Sequence, residues 1–156
     1  EAFNIIRKKR PNVFLVLIST GKNKDNNKLI NIINKHGILN LVILVGIIDK
    51  VSDYMKAFDI SILSSYSESF PNVIAESMLV GTPVVATDVG ATKFIVGNTG
   101  IVVPPRSPNL LAKGCLDLLD LNKNDYNQIC EKARKRIKNN FSIEKMIKKF
   151  ENLYDY

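Results

Sequence analysis

Short apolar runs recur along the chain between longer stretches in which apolar residues return every three or four positions. A short run bounded by polar residues suits a strand covered on both faces, and the three-to-four spacing suits the buried side of a helix. The runs predict strands over 13–18, 41–45, 60–63, 83–86 and 101–103. The spaced stretches predict helices over 1–10, 25–36, 51–57, 71–80 and 92–96. Pro71 suits a first helical position, and Gly37 and Gly81 suit helix stops. From Pro108 onward the pattern is helical throughout, over 109–119, 125–139 and 143–154, with Ser142 as an N-cap and Glu144 in the first turn of the last helix.

Alternating strands and helices predict an α/β, Rossmann-like doubly wound parallel sheet, because parallel strands need crossover connections and the helices supply them. Residues 108–156 form an all-helical tail of the same domain. Ligands of such folds sit beyond the carboxyl ends of the strands. That directs attention to the loops 19–23, 46–50, 64–70 and 87–91. The chain opens directly in a helix with no initiator Met, so it reads as a fragment whose first strand, a central one by strand order, is missing.

Composition narrows the classes. Hydrophobic residues make up 46% and charged residues 24% of 156, which excludes a disordered or low-complexity chain. The apolar run Val42 to Val45 is far too short to span a bilayer, and residues 1–10 lack the form of a signal peptide. Two cysteines and one histidine make neither a disulfide framework nor a typical zinc site, and a reducing, cytoplasmic setting is the default. The formal charge of +7 is spread over both halves. Its densest patch, Lys132 to Lys149, is interrupted by apolar residues at helical spacing, so a solvated helix face explains it. Peripheral contact with anionic lipid is the functional alternative. Nucleic acid is not expected, since no aromatic platform or nucleic-acid motif accompanies the charge.

The segment richest in chemistry is Ser65 to Glu76, SYSESFPNVIAE, a polar loop running into an apolar helix. A helix that starts near Pro71 offers free N–H groups and a positive dipole end to a phosphate or diphosphate. Glu68 precedes that end and Glu76 follows it, with Ser69, Asn72 and Glu76 on one face by three-to-four spacing. A nucleotide sugar has a matching layout of sugar hydroxyls, diphosphate and ribose diol, and a carboxylate accepts two hydrogen bonds from a diol. An exposed loop acid and a solvated helix face would account for the same two glutamates. Gly21, with Lys22 and Lys24, could contribute to such a cleft, although neither the Walker spacing nor the three-glycine fingerprint is present. Asp88 and Gly90 fit turn chemistry. His36 fits the end of a helix, where the dipole favours positive charge.

The same residues resemble the Glu-x7-Glu signature of retaining glycosyltransferases of family 4, the group 1 glycosyltransferases. The resemblance continues through 77–92, SMLVGTPVVATDVGAT, and 98–105, NTGIVVPP. It implies the C-terminal, donor-binding half of a two-domain GT-B fold, with the N-terminal acceptor domain and the diphosphate-clamping Arg and Lys of the family upstream of Glu1. It further implies that Glu68 meets the donor sugar at the reacting carbon and that Glu76 holds the ribose hydroxyls. The backbone of Ser69, Phe70, Asn72 and Val73 would meet the sugar and diphosphate, and Gly46 would lie near the nucleobase. Transfer would retain the anomeric configuration, with no cofactor and no obligatory metal. The acceptor would be a glycan or lipid-linked, as in bacterial surface polysaccharide or lipopolysaccharide synthesis. Glu68 is read as an electrostatic and positioning group ahead of a nucleophile. Two other readings remain open: a non-catalytic α/β nucleotide-binding or signalling module, and another GT-B enzyme such as a sugar-nucleotide epimerase.

Overall fold

The structure, a computed structural model, describes residues 1–19, 21 and 24–154. Strands β1 (Leu15–Ile18), β2 (Val42–Gly46), β3 (Ser61–Leu63), β4 (Val84–Thr87) and β5 (Ile101–Val103) alternate with α1 (Ala2–Lys9), α2 (Asn27–Lys35), α3 (Val51–Met55), α4 (Asn72–Val80) and α5 (Thr92–Val96). Three helices follow: α6 (Pro108–Leu119), α7 (Lys123–Asn140) and α8 (Ile143–Tyr154). Each strand and helix expected from the sequence is present, with ends moved by up to two residues. Those shifts come from caps and turns: Asn26 caps α2 by accepting from the Leu29 amide at 3.0 Å, and Asn122 caps α7 by accepting from Asp125 at 3.0 Å.

All the pairing is parallel, in two ladders. One is β1 with β2; the other places β4 between β3 and β5. No ladder joins the two among the described residues.

Alternation along β4 builds the core. Val85 packs with Leu111, Ala112 and Cys115 of α6 and with Ile6 of α1 on one side. Val84 and Ala86 pack with Ile74 and Met78 of α4, Ile95 and Val96 of α5, and Ala133 and Ile137 of α7 on the other. Full burial of a side chain such as Met78 contributes about 1.5–3 kcal/mol, so these two clusters hold most of the stability of this half. At Gly114 the α6 backbone approaches so closely that a Cβ would lie 2.9 Å from Ile101 and 3.0 Å from Val85.

Helix α7 also grips the ends of its neighbours. Arg134 donates to the Val80 carbonyl at 2.7 Å, and Arg136 donates to the carbonyls of Ile95 at 2.8 Å and Phe94 at 2.6 Å. A cation at the last carbonyls of a helix satisfies orphan acceptors and complements the dipole. Gly81 and Gly97 leave the space the two guanidinium groups occupy.

Three expectations need correction. Strand β1, whose apolar run suggested cover on both faces, is only half-buried along its length, and among the described residues it has a single strand neighbour. Pro71 is not the first helical residue: its ψ of 87° is extended, and it occupies the cap position before Asn72. Helix α8 forms as expected, with Ser142 accepting from the Lys145 amide at 3.4 Å, but buries no residue. Its apolar stripe of Ile143, Met146, Ile147, Phe150 and Tyr154 is open to solvent.

Candidate functional site

The site grows out of the carboxyl end of β3. Serine-rich loops have many accessible conformations, so the loop between Leu63 and Pro71 needs outside contacts to take one. Neighbouring strand ends provide them. Thr87, the last residue of β4, donates its hydroxyl to the Ser65 carbonyl at 2.7 Å. In the turn after β4, the Ala91 amide donates to the Ser69 carbonyl at 3.0 Å. Gly90, with φ of 53°, lies so close beneath that a Cβ would collide with the carbonyl oxygens of Glu68 and Ser69. From beyond β5, the Arg106 guanidinium sits 5.6 Å from the centre of the Tyr66 ring. Arg106 takes φ of 59°, the one positive φ at a non-glycine among the described residues.

Inside this frame Ser65 donates to Oε1 of Glu68 at 2.7 Å. Both residues are half-buried. The chain then passes through exposed Ser69 and Phe70 to buried Pro71 and enters α4, where Asn72, Val73 and Glu76 are exposed. The first amides of α4 have no helical carbonyl within reach and point out of its start. Met78 is buried on the far side, and Ser77 donates to the Ser61 hydroxyl of β3 at 2.8 Å. That bond and the Arg134 contact fix α4 at its middle and its end. Glu76 has no hydrogen-bond or ion-pair partner among the described residues.

Six of the expected residues therefore come together: Glu68, Ser69, Phe70, Asn72, Val73 and Glu76 form one loop-and-helix unit. Within it, Asn72 and Glu76 share a helix face, but Ser69 does not, because the extended Pro71 breaks the helical register before α4 begins. Gly46 ends the other ladder, and Gly21 lies in the turn beyond β1. Gly46 is buried at the end of β2, where its carbonyl accepts from the Ser19 amide at 3.0 Å. Gly21 accepts from the Asn26 side chain at 2.7 Å. No hydrogen bond ties either to the Glu68 loop among the described residues, and Lys22 lies outside them.

Ser69, Phe70, Asn72, Val73 and Glu76 of this unit are exposed to solvent. Hollows of about 540 Å³ along α8 at Ile147, Phe150 and Tyr154, and of about 360 Å³ between α1 and α6, lie apart from it. No group of three or more His, Cys, Asp or Glu side chains is gathered among the described residues. Thr87, Ala91, Tyr66 and Arg106 were not singled out from the sequence. The position of the loop 87–91 at a strand's carboxyl end is the signal that leads to Thr87 and Ala91. Nothing in the sequence marks Arg106, since arginine is not a residue that favours positive φ.

Chemically, the arrangement offers amide donors, one anchored carboxylate and one free carboxylate within a single loop-and-helix unit. That set suits a ligand with a phosphate group flanked by hydroxyls.

Comparison with known proteins agrees with the fold. A family model described as "Glycosyl transferases group 1" matches residues 1–121. The D-inositol 3-phosphate glycosyltransferase of Paenarthrobacter aurescens is 34% identical over 127 residues, 77% of this chain and 31% of its own. A putative teichuronic acid biosynthesis glycosyltransferase of Bacillus subtilis, TuaC, is 37% identical over 65 residues, 41% of this chain and 17% of its own. The sucrose-phosphate synthase of Thermosynechococcus elongatus superposes with a TM-score of 0.83 at 25% identity, over 98% of this chain and 40% of its own. The chain thus spans less than half the length of each of these proteins.

Proposed function

The chain belongs to the group 1 glycosyl transferases, and on that premise we propose that it is the donor-binding part of a longer, retaining hexosyltransferase. The observation that carries the reading is the joining of Glu68, the α4 start and Glu76 in one unit at a strand's carboxyl end. The diphosphate of a nucleotide sugar would lie at the amides of Asn72 and Val73, where the helix dipole favours negative charge. Glu76 would accept both ribose hydroxyls. The sugar would reach back toward Glu68, whose carboxylate would stabilise positive charge developing at the anomeric carbon as the bond to the diphosphate breaks. The leaving diphosphate keeps the bonding electron pair, and an acceptor hydroxyl adds to the same carbon on the same face, giving its proton to the departing diphosphate oxygen. Gly46 and Gly21 would border the nucleotide from the other ladder. No cofactor or obligatory metal enters this scheme.

The acceptor would be a glycan or lipid-linked molecule held by the rest of the polypeptide, at the cytoplasmic face of a membrane. The Bacillus relative, named for teichuronic acid biosynthesis, supports surface polysaccharide synthesis. Contact of this chain with anionic lipid would be peripheral, through the basic run Lys132 to Lys149; among the described residues no helix is long and apolar enough to cross a membrane.

Ligand-observed NMR with UDP, GDP, ADP and their hexoses, on the protein as the cell makes it, tests the donor class. Saturation by one nucleotide, weakened in Glu76→Ala, is the expected result. Glu68→Ala should leave that binding in place and lower turnover by a factor of about 100 or more. Unchanged binding and turnover in both variants would remove the site assignment.

A further inference from the structure

The loop that carries Glu68 is held by groups whose only evident task is to hold it. The Thr87 hydroxyl is buried at 4% residue exposure and gives its proton to the Ser65 carbonyl. Thr87 itself is fixed at the end of the fully buried β4, in register with Val103. Just past it the Asp88 amide donates to the Val103 carbonyl at 2.7 Å. Ser65, positioned through its backbone, gives its single hydroxyl proton to Oε1 of Glu68. A 2.7 Å contact is an ordinary length for an O–H···O hydrogen bond. Oε2 of Glu68 has no partner among the described residues. One carboxylate oxygen is thus anchored from the core, and the other is left for whatever occupies the site.

We infer that Ser65 and Thr87 are positioning residues for Glu68, a two-step hydrogen-bonded relay from the buried end of β4 to the carboxylate. The inference rests on the reading of Glu68 given above and extends it to two side chains that touch no ligand. Gly90 completes the arrangement, since its bare Cα lets the Glu68–Ser69 backbone settle against the β4–α5 turn. A relay of this kind sets orientation, and small errors in the placement of a reacting group are costly to rate while leaving ground-state binding intact.

The test uses the protein as the cell makes it and four variants. Ser65→Ala removes the second bond. Thr87→Val keeps the buried shape and removes the hydroxyl, Thr87→Ser restores the hydroxyl, and Glu68→Gln is the reference. Hydrolysis or transfer is followed with each of UDP-, GDP- and ADP-hexoses, alongside the Kd of the matching nucleotide diphosphate. The Glu68 side-chain carboxyl carbon resonance is read at the same pH in every variant. The expected result is a fall in kcat of about tenfold in Ser65→Ala and Thr87→Val, with Kd changed less than about twofold and recovery in Thr87→Ser. The Glu68 resonance should move in the first two variants and return in the third. Turnover unchanged in Ser65→Ala and Thr87→Val while Glu68→Gln is inactive would overturn the relay and leave the donor-site reading standing. So would a resonance that ignores Ser65→Ala, or a lower Tm in Thr87→Val with parental kcat. Parental turnover in Glu68→Gln would instead remove the reading on which the relay rests.

Discussion

Strands β1 and β4 carry similar apolar sequences, Leu-Val-Leu-Ile and Val-Val-Ala-Thr, and end in different surroundings. Every residue of β4 is buried, between two strand neighbours and two layers of helices. Every residue of β1 is half-buried, beside one strand only. Apolar content states what a strand would gain from cover; neighbours decide whether it is covered. The difference extends to the candidate site. The Glu68 loop rests on the end of β4 and is held at Ser65, Tyr66 and Ser69, whereas Gly46 ends the less completely covered β1–β2 ladder and Gly21 lies in the turn beyond β1.

Truncation of buried side chains gives the largest expected contrast. Met78→Ala, at a position with no exposure, should cost about 2–5 kcal/mol in urea unfolding, whereas Leu17→Ala in β1 should cost under about 2 kcal/mol. Equal losses would break the comparison. Two glycines sharpen it at an intermediate level. Gly90 and Gly37 have φ of 53° and 60°, so both lose backbone ease on becoming alanine. A Cβ at Gly37 meets nothing within 4 Å, while one at Gly90 meets the Glu68 and Ser69 carbonyls. Gly37→Ala should therefore cost about 1 kcal/mol, and Gly90→Ala about 2–3 kcal/mol with loss of turnover besides. Removing the α2 cap with Asn26→Ala should cost about 1 kcal/mol, detectable as faster amide exchange confined to α2.

The smallest effect concerns the thiols. Burial in α6 pushes the Cys115 thiol from 9.0 up to about 12, and burial raises half-buried Cys130 as well. The folded state thus favours the neutral thiol of Cys115. Its contribution to stability is complete below about pH 9 and is lost as pH rises from there through about 12, since the unfolded chain ionises first. Alkylation at pH 8 should label Cys130 ahead of Cys115; the reverse order would mean that the α6 side of the core opens more readily than the burial pattern implies.

Much of this was legible because the signals are local. Runs, spacings and cap residues set out the order of strands and helices, and a loop acid, a proline and a helix acid within nine residues marked the site. What stayed hidden depends on contacts between distant segments. Thr87 reaches Ser65 across 22 residues, and a threonine ending a strand has no local feature that announces such a bond. Arg106 adopts a glycine-like backbone without being glycine. Pro71 has the right ring for a first helical position, yet its ψ is set by the loop behind it. The division into two ladders is likewise a matter of which strands meet, which apolar runs alone do not encode.

The grip of α7 on its neighbours bears on how this sequence can drift. Arg136 bridges two successive carbonyls with two of its planar donors, which a lysine ammonium cannot reproduce in the same geometry. The guanidinium in turn fills the space that a side chain at Gly97 would need, as Arg134 does at Gly81. Each arginine and its glycine thus form a lock in which neither half changes freely alone. Among descendants of this sequence, a larger residue at 81 or 97 should arrive together with a shorter one at 134 or 136, leaving a paired substitution as the mark of the contact.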